Sequence, residues 1–320
     1  MEVIRRIEDI NAGLRGCILT IGNFDGVHLA HRKIICSLVD EARRAGTPGV
    51  VMTFEPHPQQ VLHPERIPFY LITTLEEKLA ALEELGADAA VVVPFSREFS
   101  ATPAESFVRD IIWKRLRPSK VLIGHDYTFG KGKEGKPPYF KIMGRELGFD
   151  VDIVEAVLLD GNVVSSTRVR NAVFNGDVEE AARLLGRPFS FEGTVVEGDK
   201  RGAGIGFPTA NLRTAKDLIP RTGVYAALSE LSGGFRPSVV NIGFVPTFVK
   251  TPGAAPLIEA HILDFREDLY GKNMRLHFFR RLRGERKFDG AVSLTEQIRK
   301  DIEAAREILP AAAPKPAPCK

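Results

Sequence analysis

From Cys17 to about Gly186, short runs of apolar and β-branched residues alternate with amphipathic stretches. CILTIG at 17–22 precedes a helical pattern from about Leu29, GVVMTF at 49–54 precedes one from Leu75, and AAVVVPF at 89–95 precedes one through Ala104–Leu116. SKVLIG at 119–124, a Gly/Lys/Pro loop, a helix near Gly144, the strand VDIVEAVLL at 151–159 and a helix after Ser166 continue the rhythm. The apolar runs lack strict alternation, so both faces of each strand must be covered. That predicts a doubly wound α/β domain with a parallel sheet. In such sheets ligands bind beyond the carboxyl ends of the strands.

After Arg187-Pro188 the rhythm changes to FEGTVVEG, GVYAALSEL, PSVVNIGF, LIEAHILDF and MRLHFFRRL, separated by Gly, Pro and Asp turns. Short strands with turn signals between them predict a small antiparallel β-barrel. A helix over Ser293–Ile308, with Glu296 and Lys300 spaced as an i,i+4 pair, is expected to close it. The domains are therefore read as residues 1–186 and 187–308, followed by a Pro/Ala-rich tail, 309–320, expected to be disordered.

Composition narrows the function classes. A chain of 320 residues has room for two compact units, and 44% hydrophobic with 27% charged residues is ordinary for a globular protein. A net charge of +3 is too slight to argue for a nucleic-acid partner, and none is expected, though it leaves room for a local basic pocket for phosphates. The three cysteines, Cys17, Cys36 and Cys319, form no CxxC pair, so a reducing, cytoplasmic setting without a thiolate metal site is expected. No apolar stretch reaches the roughly 18 residues of a membrane helix, so no membrane partner is expected. Oligomeric state is not legible.

The candidate chemistry starts where the first predicted strand hands over to a helix, in Gly22-Asn23-Phe24-Asp25-Gly26-Val27-His28-Leu29-Ala30-His31. Small residues let the backbone approach a ligand, and a helix N-terminus presents N–H groups and partial positive charge to a phosphate. His28 and His31 are spaced to share one face of the first turn, so both imidazoles could touch one triphosphate. Ser165-Ser166-Thr167-Arg168-Val169-Arg170 opens a later helix with hydroxyls and guanidiniums. Taken singly, each histidine could be structural and the serines an ordinary N-cap.

Together these segments resemble the HxGH and SSTxxR motifs of the nucleotidyltransferase superfamily. With TFEPHP at Thr53–Pro58 and GHDYTFGKGKEG at Gly124–Gly135, they follow the order seen in prokaryotic bifunctional FAD synthetases. The resemblance implies that Gly22, Phe24, Asp25 and Gly26 bind ATP, that His28 and His31 hold its phosphates, and that Ser165, Thr167 and Arg168 clamp the leaving pyrophosphate. It places Phe54, His57, Asp126 and Phe129 toward the flavin. Ala30 stands where the family usually has glycine, which bears on ATP binding at that point.

In the second half, Gly198–Gly206 lacks the spacing of a dinucleotide fingerprint, and GKGKEG lacks the ending of a P-loop. The glycine-rich run leads into Pro208-Thr209-Ala210-Asn211, which resembles the riboflavin kinase signature. The same family resemblance implies a nucleotide site at Gly204, Gly206, Pro208, Thr209 and Asn211, with Thr209 and Asn211 on Mg²⁺ and Glu259 as general base. Neutral oxygens suit a hard cation whose other ligands are water and phosphate. Asn241-Ile242-Gly243 and Pro246-Thr247-Phe248 follow in the family's order, with Val245 where many relatives carry arginine.

The expectation is phosphorylation of riboflavin to FMN at the barrel and adenylylation of FMN to FAD at the α/β module, each with Mg-ATP. Open alternatives are a kinase whose α/β half has lost adenylyl transfer, a non-catalytic flavin-binding regulator, and another cytidylyl- or adenylyltransferase.

Overall fold

The computed structural model describes residues 1–66, 69–198, 201–243 and 256–309. It forms two compact units that divide between Ser166 and Thr167. The helices Ser166–Asn175 and Val178–Leu185, which the sequence reading gives to the first module, thus fall largely with the second.

The first unit carries strands β1 (Glu2–Ile4), β2 (Ile18–Ile21), β3 (Gly49–Glu55), β4 (Ala89–Pro94), β5 (Lys120–Gly124) and β6 (Asp150–Val154) in one sheet, all parallel, in the order β1-β4-β3-β2-β5-β6. Helices α1 (Leu29–Ala45), α2 (Pro58–Leu62) and α3 (Leu75–Glu84) lie in its first half. Val50, Met52 and Phe54 turn to one apolar cluster with the segment 104–116 and the helix Pro137–Leu147, whereas Val51 turns to the opposite cluster with α1 and α3. Both faces being buried explains the unbroken apolar runs.

Local differences have local causes. The expected helix Ala104–Leu116 contains a π-helical stretch, Phe107–Trp113. The expected strand over 151–159 stops at Val154, and β7 (Leu158–Leu159) forms a small hairpin with β8 (Asn162–Val163) instead. The break falls at Glu155-Ala156-Val157, where the chain leaves the parallel sheet.

Six strands close the barrel of the second unit in the order β10-β13-β12-β11-β14-β9: β9 (Phe189–Val196), β10 (Ala210–Arg213), β11 (Gly223–Leu231), β12 (Gly234–Gly243), β13 (Leu257–Ile262) and β14 (Asn273–Arg283). Strands β9, β13 and β14 alternate buried and less buried positions, as one-sided burial requires. Phe191, Tyr225 and Phe278 meet inside, with ring centroids 5.3 and 5.5 Å apart. Seven consecutive residues of β11 are buried because the helix Ala291–Ile308 packs Ala305 against Val224, Ala226 and Val239 on the outer face.

That helix is anchored by a bidentate ion pair. Arg283 donates from Nε and Nη2 to the nearly buried Asp301 carboxylate at 3.0 and 2.8 Å, and Gln297 donates to it at 2.9 Å. Removing one member of a buried pair leaves an uncompensated charge. Asp301→Ala is expected to lower unfolding free energy by about 3 kcal/mol in a denaturant titration.

Candidate functional site

In the first unit, β2 ends at Ile21 and the chain turns through Gly22–Val27 into α1. The turn is strained: Phe24, Gly26 and Val27 have φ of 48°, 86° and 41°. A valine in the left-handed region is an outlier that the surroundings must enforce. Asp25 supplies much of that enforcement. Its buried carboxylate accepts from the Ile72 and Thr73 N–H groups at 3.0 and 3.1 Å and from the Thr73 hydroxyl at 3.3 Å. The Thr73 hydroxyl in turn accepts from Gly26 N–H at 3.0 Å. Ser166 donates to the Asp25 carbonyl at 2.9 Å, which ties the end of the first unit to the same turn. Any Cβ on Gly26 would meet Ile72 at 3.0 Å.

His28 is the N-cap of α1 rather than part of its first turn, and His31 is the third helical residue. The His28 Nδ1 accepts from His31 N–H at 3.4 Å, which leaves the proton of neutral His28 on Nε2. The two rings stack, with centroids 3.6 Å apart and 16° between planes, and Phe24 meets His31 edge-on at 5.3 Å. The buried His31 Nδ1 has no hydrogen-bond partner among the described residues. Burial, then the neighbouring His28 and Lys78, hold its pKa well below the usual 6.5.

Lys78, whose buried amine donates to Thr53 Oγ1 at 3.2 Å, was not among the expected site residues. A signal was present: Leu75, Lys78, Leu79 and Leu82 fall on one stripe of α3, where a lysine is out of place.

The expected flavin residues separate by environment. Phe54 packs toward Phe95 and Phe99, and Phe129 sits among Phe107, Tyr127 and Phe140; both rings belong to the apolar core. His57 caps α2, accepting from Gln59 N–H at 3.2 Å, and stacks on Phe69. Asp126 is exposed. Ser165 is half-buried, while Thr167 and Arg168 fall in the second unit, where Arg168 pairs with Glu180.

In the barrel, strand register assembles a polar row. Asn211 of β10 lies opposite Glu259 of β13, and Glu259 lies opposite Asn241 of β12. Asn241 Nδ2 donates to Glu259 Oε2 at 3.4 Å. The Asn211 amide rests against Gly198, so closely that a Cβ there would stand 2.2 Å from Nδ2. His261, two positions beyond Glu259 and so on the same strand face, donates from Nδ1 to the Pro208 carbonyl at 2.8 Å and so holds the segment that carries Thr209. Gly204 ends a short helical turn and Gly206 follows with φ of 89°. Val245 and Pro246-Thr247-Phe248, like the tail from 310, lie outside the described residues.

Residues 10–168 match the family model for FAD synthetase, and residues 185–309 match that for riboflavin kinase. The chain belongs to the bifunctional riboflavin kinase/FMN adenylyltransferase family. A bifunctional riboflavin kinase/FMN adenylyltransferase of Escherichia coli (strain K12) is 39% identical over 310 residues, covering 96% of this chain and 97% of that one. One from Bacillus subtilis (strain 168) is 39% identical over 291 residues, covering 90% and 91%. A crystal structure titled macrolide-efflux protein, from Streptococcus pneumoniae, superposes with a TM-score of 0.86 at 31% identity, covering 95% of this chain and 98% of that one. Among the described residues no helix is long and apolar enough to cross a membrane.

The members of this family are transferases, and the sites above are the places to look for their chemistry. A shallow cleft lined by Ile18, Glu41, Ser119 and Lys120 lies at the amino ends of the strands, opposite the His28–His31 stack. Its lysine is already shared by Glu41 and Asp152 at 2.8 and 3.1 Å.

The low pKa of His31 has a stability consequence. The unfolded chain binds a proton there near pH 6.5 and the folded chain does not. Stability is therefore full above that pH and falls as the pH drops below it. Thermal unfolding measured from about pH 7 to about pH 5 is expected to show a falling midpoint, with a smaller fall in His31→Gln.

Proposed function

We propose that the barrel transfers the γ-phosphoryl of ATP to riboflavin and that the α/β unit joins the resulting FMN to AMP. The observation that carries this reading is the presence, in one chain, of both family matches, over residues 10–168 and 185–309. The Asn211–Glu259–Asn241 row supports the first activity and the His28–His31 stack on its strained turn supports the second.

At the barrel, Glu259 accepts the proton of the ribityl 5′-hydroxyl as its oxygen bonds to the γ-phosphorus and ADP leaves. Asn241 fixes the carboxylate and keeps one oxygen occupied. Thr209 and Asn211 are the residues that would hold Mg²⁺. Among the described residues no cluster of three or more His, Cys, Asp or Glu suits a metal. Neutral oxygens beside one carboxylate fit a cation that takes most of its ligands from phosphate and water, neutralising charge on the triphosphate when bound.

At the α/β unit, an oxygen of the FMN phosphate attacks the α-phosphorus of a second ATP and pyrophosphate leaves, with no covalent enzyme intermediate. Such a step needs alignment and charge stabilisation more than a nucleophile. The His28 Nε2–H and the first turn of α1 supply donors to the phosphates, with Gly22 and Gly26 permitting close approach. Phe24 supports His31, and Asp25 acts through the shape of the turn. Ser165, Thr167 and Arg168 clamp the pyrophosphate, and His57 and Asp126, with the edges of Phe54 and Phe129, receive the flavin. We assign the two activities to modules whose sequence boundary lies near Gly186–Pro188, downstream of the point where the second compact unit begins, and the enzyme to the cytoplasm.

Purified protein given riboflavin and Mg-ATP is expected to form FMN and then FAD, separable by chromatography; formation of neither would refute the reading. Glu259→Gln and Asn211→Ala should stop FMN formation, while His28→Ala should stop only the conversion of supplied FMN to FAD, each by about 100-fold or more. Gly198→Ala, placing a methyl where the Asn211 amide lies, should depress FMN formation and leave FAD formation from FMN intact.

A further inference from the structure

We propose that Lys78 is a further phosphate-holding residue of the adenylyl-transfer site, its ammonium facing the nucleotide triphosphate beside the His28–His31 stack. The inference rests on the reading of that site given above and deepens it.

Lys78 is 4% exposed and stands on the apolar stripe of α3, where a leucine would pack without desolvating a charge. Its amine reaches the carboxyl ends of β2 and β3: it donates to Thr53 Oγ1 at 3.2 Å, and that hydroxyl donates to the Asn23 carbonyl at 3.2 Å in the turn before α1. Thr53 is its hydrogen-bond partner among the described residues, and none of their carboxylates forms an ion pair with it. Two of the three ammonium hydrogens therefore lack an acceptor there.

The opposing charges act at longer range. Burial lowers the Lys78 pKa, while Glu55 and Asp25 oppose that fall, and the Asp25 oxygens are occupied by the Ile72 and Thr73 backbone. Close by, His31 has its own buried nitrogen without a partner among the described residues, and it feels Lys78 as a like charge. Buried polar groups are normally satisfied, so two unfilled groups at the ligand end of a parallel sheet, one tied through Thr53 to the turn that leads into α1 and the other on α1 itself, call for an explanation. An entering phosphate supplies acceptors to the ammonium hydrogens of Lys78 and to a ring N–H of His31, and its negative charge offsets the cost of burying the lysine. A lysine that merely propped the turn would need only the Thr53 bond.

The test uses the full chain with Lys78→Met and Lys78→Arg. It measures FAD formation from FMN and Mg-ATP, FMN formation from riboflavin, calorimetric binding of inorganic pyrophosphate, and the unfolding midpoint. Lys78→Met is expected to lower the FAD rate about 100-fold and to weaken pyrophosphate binding about tenfold, with FMN formation and the midpoint unchanged. Lys78→Arg should restore most of both losses. A wild-type FAD rate and pyrophosphate affinity in Lys78→Met would overturn the proposal. So would a loss that follows the midpoint downward, or an arginine variant no better than methionine. A wild-type chain that binds pyrophosphate through Lys78 yet forms no FAD would refute the adenylyl-transfer activity and leave this anion site standing.

Discussion

A single buried carboxylate holds the first site in shape. Asp25 accepts from two successive backbone N–H groups and one hydroxyl some fifty residues downstream, and its own carbonyl accepts from Ser166. Those bonds help to keep Phe24 and Val27 in left-handed backbone conformations, each costing on the order of 1–3 kcal/mol. The stacked imidazoles and the start of α1 inherit their positions from this turn. The charged oxygens of Asp25 thus work through the backbone.

The barrel reaches a comparable result by different means. There the polar row is set by strand register: Asn211, Glu259 and Asn241 meet because β10, β13 and β12 pair at those residues. Close packing refines it, since the Asn211 amide occupies the space that a side chain on residue 198 would fill. His261 steadies Pro208 from the next position on the same strand face.

Much of this was legible in the sequence, for identifiable reasons. The central strands were visible because burial on both faces makes them continuous apolar runs, and the barrel strands because one-sided burial and turn residues punctuate them. Strand β1 was not, being three residues long and beginning with Glu2. The motif residues His28, His31, Asn211 and Glu259 could be named, but their partners could not. The Asp25 bonds to Ile72 and Thr73 span about 47 positions, and no local pattern announces a contact of that separation. Asn241 was visible as part of a motif, yet its bond to Glu259 depends on a register that only the closed barrel reveals. Lys78 lies between these cases, since its place on an apolar stripe was readable and its meaning was not.

Because side chains alternate across a strand, sliding β13 by a single residue would turn Glu259 to the opposite side of the wall and put Ile258 or Ala260 in its place. Length changes within β13 or its neighbours are thus barred to evolution and to the protein engineer alike, whereas loops outside the paired segments are open to them. The polar row and the closure of the barrel are inherited as one unit.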